Sequence, residues 1–120
     1  MLTIAIKGTR LDLTPAITSY TEDKLRMLER VLTVDARAEI ELEHTTRHQS
    51  GPVFRAEINL TAGSMFLRTE AIEEDLYAAI DVAKDEMMEA ISQYKSKETT
   101  LVRRGGRMIK GFIRRMGWGE

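Results

Sequence analysis

Cysteine is absent from this 120-residue chain, which excludes a disulfide framework and any metal site built on thiolates. No window of 18 residues is both apolar and uncharged, so no segment reads as a membrane span. The opening MLTIAIKGTRLD meets charge too early to read as a signal peptide. A cytoplasmic location is therefore expected. The short motifs that carry catalysis are also missing: there is no glycine-rich phosphate loop, nucleophile elbow or metalloprotease histidine pair. Glu73-Glu74 and Asp85-Glu86 read as charge at a helix end and on a helix surface, because paired carboxylates do acid–base work only in a cleft that separates their pKa values. No enzymatic activity, cofactor, metal or small-molecule substrate is expected.

What is present is organised around Glu74 to Lys97. Leu76, Ile80, Ala83, Met87, Ala90, Ile91 and Tyr94 recur in steps of three and four, which places them on one stripe of an α-helix. Asp81, Lys84, Asp85, Glu89 and Lys95 lie off the stripe and are expected to stay hydrated. Such a stripe needs a surface to cover. Leu2, Ile4 and Ile6 alternate with Thr3, Ala5 and Lys7 as a first strand. Thr14-Pro15 then starts a helix, a hydroxyl cap followed by proline at the first helical position, running to about Val31. Three strands follow, Arg37–Glu43, Val53–Leu60 and Met65–Ala71, the last two joined by a tight turn at Ala62-Gly63-Ser64. Their clean alternation predicts a sheet covered on one face only, as in an antiparallel sheet. The expected fold is α+β, a two-layer βαβββα domain with a four-stranded sheet and two helices on one face. On the open face, Glu39, Glu41 and Glu57 are expected to meet Arg37, Arg55 and Arg68 as a solvated surface of cross-strand pairs. His44 and His48, in the loop His44–Pro52, read as part of a polar hairpin rather than a metal site, because a strand-to-loop transition does not bring residues four apart onto one face.

The net charge of −1 conceals an asymmetry. Residues 1–98 carry 12 basic and 18 acidic side chains, whereas residues 99–120 carry 6 basic and one acidic. The chain therefore divides into a compact body, 1–98, and a basic tail, 99–120, with a polyanionic or acidic partner of its own. In the tail, Met108, Ile109, Phe112, Ile113 and Met116 form an apolar stripe, while Arg107, Lys110, Arg114 and Arg115 fall elsewhere. Gly105, Gly106, Gly111 and Gly117 each weaken any helix there, so the tail is expected to order only against something. Ribosomal RNA, an acidic membrane surface, and this protein's own body or a second copy are the three candidates.

LTIAIKGTRLDLTPAITSYTEDKLRMLERVL, FRAEINL and above all EDLYAAIDVAKDEM give the chain a resemblance to the ribosome hibernation-promoting factors, also called ribosome-associated inhibitors. Gly8, Thr14 and Lys24 match, and Asp75 to Asp81 is the most specific piece. The resemblance covers residues 2–98. It implies a fold like that of double-stranded-RNA-binding domains with an additional first strand. It further implies binding to the small ribosomal subunit near the decoding site, where messenger and transfer RNA are blocked and ribosomes stay intact but idle. No membrane partner is implied, and the length resembles the short class without a second domain. Lysines and arginines along the helices contact ribosomal RNA in the family; the RNA-binding candidates here are Lys7, Arg10, Lys24, Arg26, Arg30, Lys84, Lys95 and Lys97, with Arg103, Arg104, Arg107, Lys110, Arg114 and Arg115 of the tail. Glu86, Glu89 and Gln93 depart from the family, where many members are basic, and the tail is expected to supply the missing charge. A general structured-RNA-binding module, and a protein-interaction or dimerisation domain, are the alternative functions.

Overall fold

The structure, a computed structural model, describes residues 1–45 and 53–104, with side chains up to Ser96. The order is β1 (Leu2–Thr9), α1 (Pro15–Arg26), a 3₁₀ turn η1 (Met27–Arg30), β2 (Ala36–His44), β3 (Phe54–Ala62), β4 (Met65–Glu73) and α2 (Leu76–Arg104). The sheet has the order β1-β2-β3-β4, with α1 lying against β1 and α2, and α2 crossing β3 and β4. This is the expected two-layer α+β domain. The wholly antiparallel sheet is corrected: β1 runs parallel to β2, Leu2 opposite Ala36 and Ile6 opposite Ile40. Alternation reports which face of a strand is buried, not its direction. The crossover through α1 sets the direction.

Each element follows from local chemistry. The Thr14 hydroxyl accepts from the Ile17 amide at 3.2 Å, and Pro15 fills the first turn of α1. The helix stops being α at Arg26, short of the expected Val31, and tightens into η1, a frequent way for a helix to end. Leu28 stays buried through that change. At the end of η1 the Lys95 ammonium donates to the Val31 carbonyl at 2.7 Å, so α2 satisfies a group near the terminus of the first helical unit. Helix α2 begins two residues later than predicted, with the Asp75 carboxylate accepting from the Ala78 amide at 3.0 Å. It continues past residue 98 to Arg104.

The β3–β4 connection is a two-residue turn, Gly63-Ser64, between the paired Ala62 and Met65. Gly63 has φ +62°, the left-handed conformation that such a hairpin needs at its first central position. Gly8 is required for a different reason: a Cβ there would lie 2.6 Å from the Leu11 carbonyl oxygen. The core is Leu25 and Leu28 from the first helical unit, Ala38, Ile40 and Leu42 from β2, Ala56, Ile58 and Leu60 from β3, and Leu76, Ile80, Ala83, Met87, Ala90 and Ile91 from α2. The stripe read from the sequence is thus the buried face of α2. Lys84 is a correction. It is 6% exposed, with its ammonium 2.6 Å from Asp85, because its place beside the stripe lies against the neighbouring layer rather than in water.

Candidate nucleic-acid interface

The open sheet face is a candidate binding surface, since no helix among the described residues covers it. Register lines up Lys7, Glu41, Glu57 and Glu70 in one row across the four strands. Three adjacent carboxylates would repel one another. Arg55, one step along β3, resolves this: its guanidinium reaches Glu70 at 2.5 Å, Glu57 at 2.5 Å, Glu43 at 2.9 Å and Glu41 at 3.6 Å. Arg68 pairs with Glu57 from the other side. Burial opposes the charge on Arg55, but the carboxylates outweigh it and hold its pKa above the ordinary value. Glu41 moves the other way: the Thr9 hydroxyl at 2.5 Å and the nearby cations overcome desolvation and lower its pKa.

The expected pairing of this face is present; it is solvated at Arg37 and Glu39, as expected, but not at its centre. The side chains of Arg55, Glu43 and Glu57 are only 13%, 8% and 13% exposed, because packed charged neighbours exclude water from one another. Glu43 and Glu70 were missing from the sequence reading of this network. A self-neutralised surface of this kind offers little net attraction to phosphate.

The candidate cations divide by place. Lys7 is exposed on β1 opposite Glu41, and Arg10 is engaged by Glu43 at 2.5 Å, so both border the carboxylate network. Lys24 sits on the outer helical face, 3.5 Å from Asp81 and 5.4 Å from the centre of the Tyr20 ring. Tyr20 donates to Asp81 at 2.6 Å and meets Tyr77 edge-on, with ring centres 4.7 Å apart. That hydrogen bond, with desolvation and the carboxylate's charge, pushes the Tyr20 phenol up to about 12. These contacts join α1 to α2 and leave Lys24 only partly available.

Arg26, Arg30 and Lys95 come together at the η1 end. Arg26 donates to the Leu2 carbonyl at 2.8 Å and lies 3.7 Å from Glu29, with its side chain half exposed. Arg30 is exposed on η1, and Lys95 reaches the carbonyl of the next residue, Val31. This end of the helical layer holds three of the body's cations, with Glu29 beside Arg26. Lys84, buried on Asp85, does not present its ammonium at the surface. The side chains of Lys97, Arg103 and Arg104, and the whole of Arg107, Lys110, Arg114 and Arg115, lie outside the described residues, as does His48. His44 packs against the Phe54 ring, 5.1 Å between centres.

The opposite side of α2 is acidic. Arg68 and Glu70 of β4 with Glu86, Glu89 and Gln93 of α2 line a groove of about 300 Å³, three carboxylates to one cation. Desolvation, then the charges of Glu73 and Glu89, raise the pKa of Glu86. The helical layer is therefore polar in the electrostatic sense, with cations at the η1 end and carboxylates beside β4. Tyr77 as a contact residue, and the place of Arg55 at the centre of its network, are what sequence reading passed over. The position of Tyr77 one turn from Asp81 on α2 was the available signal for the first; the second depends on strand register.

Comparison with known proteins places this arrangement. The family model described as "Sigma 54 modulation protein / S30EA ribosomal protein" matches residues 4–99. A protein of Bacillus subtilis named "Ribosome hibernation promotion factor" is 30% identical over 103 residues, 84% of this chain and 52% of that protein. One of the same name from Staphylococcus aureus is 29% identical, over 81% of this chain and 50% of the relative. The chain thus spans about half the length of these relatives. Among solved structures, the N-terminal domain of Thermus thermophilus Protein Y superimposes with a TM-score of 0.68 at 31% identity, covering 78% of this chain and 99% of that domain. A ribosomal subunit interface protein from Coxiella burnetii shares the fold, with a TM-score of 0.65 at 19% identity. With the match running from β1 well into α2, the chain belongs to the Sigma 54 modulation protein / S30EA ribosomal protein family.

Proposed function

We propose that this protein is a ribosome hibernation factor that binds the small ribosomal subunit through ribosomal RNA, near the decoding site, and blocks messenger and transfer RNA. The mechanism is occupancy, with no bond made or broken, and it takes place in the cytoplasm. The family match over residues 4–99 carries the reading. The η1 end of the helical layer supplies a matching chemistry: Arg26, Arg30 and Lys95 are gathered there, and guanidinium groups pair with phosphate through two parallel hydrogen bonds. Beyond it, the tail adds Arg107, Lys110, Arg114 and Arg115. A body of net charge −6 needs those cations to approach a polyanion, and each phosphate they neutralise releases a counterion.

The test is pelleting with small subunits over a range of salt. The full chain should sediment with them, and messenger RNA should compete. A chain truncated after Arg104, which keeps α2 whole, should bind more weakly. Its log–log salt slope should be shallower by about 3 if its four cations meet phosphates. Identical affinity and slope for the two chains would remove the tail from the interface. Failure of the full chain to sediment would remove the function.

A further inference from the structure

Beyond the cationic end lies a cavity of about 310 Å³ whose walls are mostly apolar. Ile91, Ala62 and Met65 form its buried floor, with Leu32, Val34 and Tyr94 at its sides. Val34 is 54% exposed and is one of the few large apolar side chains among the described residues with that much surface in water. Lys95 lies on the rim, and α2 passes the groove on its way to Arg104. A concave, largely apolar hollow of this kind can receive an apolar segment.

We propose that the groove between η1, the Gly63-Ser64 turn and α2 receives this chain's own residues Met108–Met116, apolar stripe inward. The sequence of that segment fits on two counts. Met108, Ile109, Phe112, Ile113 and Met116 share one side of a helical repeat, and Arg107, Lys110, Arg114 and Arg115 would then face out. The tether also fits. Lys95 to Arg104 is nine helical residues, about 14 Å at ~1.5 Å each. The four residues from Arg104 to Met108 span about 13 Å when extended and the four helical ones to Phe112 add about 6 Å, so the stripe can reach back over that length. Gly105 and Gly106 follow Arg104 in the sequence, and glycine would permit the reversal that docking requires. A tether this short holds the segment at millimolar effective concentration, well above what a second copy would supply at ordinary protein concentrations.

Docking would have a consequence for RNA binding, which rests on the function proposed above. It would set the outward cations of the tail beside Arg26, Arg30 and Lys95, making one continuous positive surface from two separate ones. Bringing like charges together has a cost, which an RNA backbone would relieve.

The absence of cysteine makes the test clean. In Val34→Cys/Phe112→Cys, mild oxidation at low micromolar protein should give an intramolecular disulfide in most molecules. Thr3→Cys/Phe112→Cys, with Thr3 exposed on the open sheet face, should cross-link at least tenfold more slowly. Equal rates for the two pairs, or disulfide-linked dimers from the first, would overturn docking in cis. As a second readout, Val34→Asp in the otherwise native chain should shift the emission of Trp118, the sole tryptophan, to the red; an unchanged spectrum would count against the proposal. Neither measurement uses ribosomes, so failure of the docking and failure of the proposed function are distinguishable. If the function holds, the oxidised Val34→Cys/Phe112→Cys chain should pellet with small subunits at least as well as its reduced form, and a tenfold loss would overturn the shared surface.

Discussion

Replacing Arg55 by methionine removes the one cation that four carboxylates share. Glu43 and Glu57 are left at 8% and 13% side-chain exposure with, among the described residues, only Arg10 and Arg68, respectively, as paired cations, whereas Glu41 and Glu70, at 29% and 38%, can turn towards water. Removing one member of a buried ion pair costs about 3–5 kcal/mol, and the partial rehydration open to Glu41 and Glu70 puts this case near 3. For a domain of this size that corresponds to a fall in melting temperature on the order of 15 °C. The assay is urea denaturation followed by far-ultraviolet circular dichroism, at neutral pH and again near pH 3.5. Sign follows from Glu41, whose folded pKa lies below its ordinary value of 4.5. Its contribution is present above the unfolded pKa and is lost as pH falls through the folded one. The Arg55 share of that stabilisation is absent from the variant, so the gap between native chain and variant should narrow in acid. A loss under about 1 kcal/mol at neutral pH, or a gap unchanged in acid, would refute the view that this network is desolvated and electrostatically held.

Gly8→Ala should lose about 1–3 kcal/mol in the same denaturation experiment, since the new methyl meets the Leu11 backbone rather than a side chain that could turn aside. Asp81→Asn should bring the Tyr20 phenol down from about 12 towards 10, as read by the tyrosinate absorbance of the variant against the native chain. Because the native phenol is raised, the stability it contributes is present below pH 10 and lost as pH rises towards 12. Glu86→Lys/Glu89→Lys should tighten binding to small subunits and steepen its log–log salt dependence by about 1–2, because an acidic stretch of α2 becomes basic. The same pair should not destabilise the fold, given that Glu86 and Glu89 repel one another in the native chain.

Much of the architecture is readable from the residues because period and burial coincide. The spacing of Leu76, Ile80, Ala83, Met87 and Ile91 is the period of a helix with one buried side, and each of those residues is in the core. Ala38, Ile40 and Leu42 alternate with Arg37, Glu39 and Glu41 for the matching reason on β2. Thr14-Pro15 and the Gly63 turn are local, so their conformations need no tertiary information. What escapes the sequence is non-local. The parallel pairing of β1 with β2 depends on how the α1 connection crosses the layer, and alternation is the same in either direction. The place of Arg55 at the hub depends on register, which sets Glu41, Glu57 and Glu70 side by side. Lys84 carries a charge and sits off the apolar stripe, yet the partner layer reaches far enough round α2 to bury it. Among the site candidates, proximity of Lys95 to Arg26 and Arg30 arises only when η1 meets the far half of α2, since 95 lies more than sixty positions beyond 30 in the chain.

Chemical footprinting of small-subunit RNA, with and without this protein, tests the central claim most directly. Protected nucleotides should lie in the channel that messenger and transfer RNA share, protection should fall as messenger RNA is added, and a cell-free translation reaction should slow over the same protein concentrations. Protection elsewhere on the subunit, indifferent to messenger RNA, would contradict the account, as would a subunit whose RNA is left wholly unprotected.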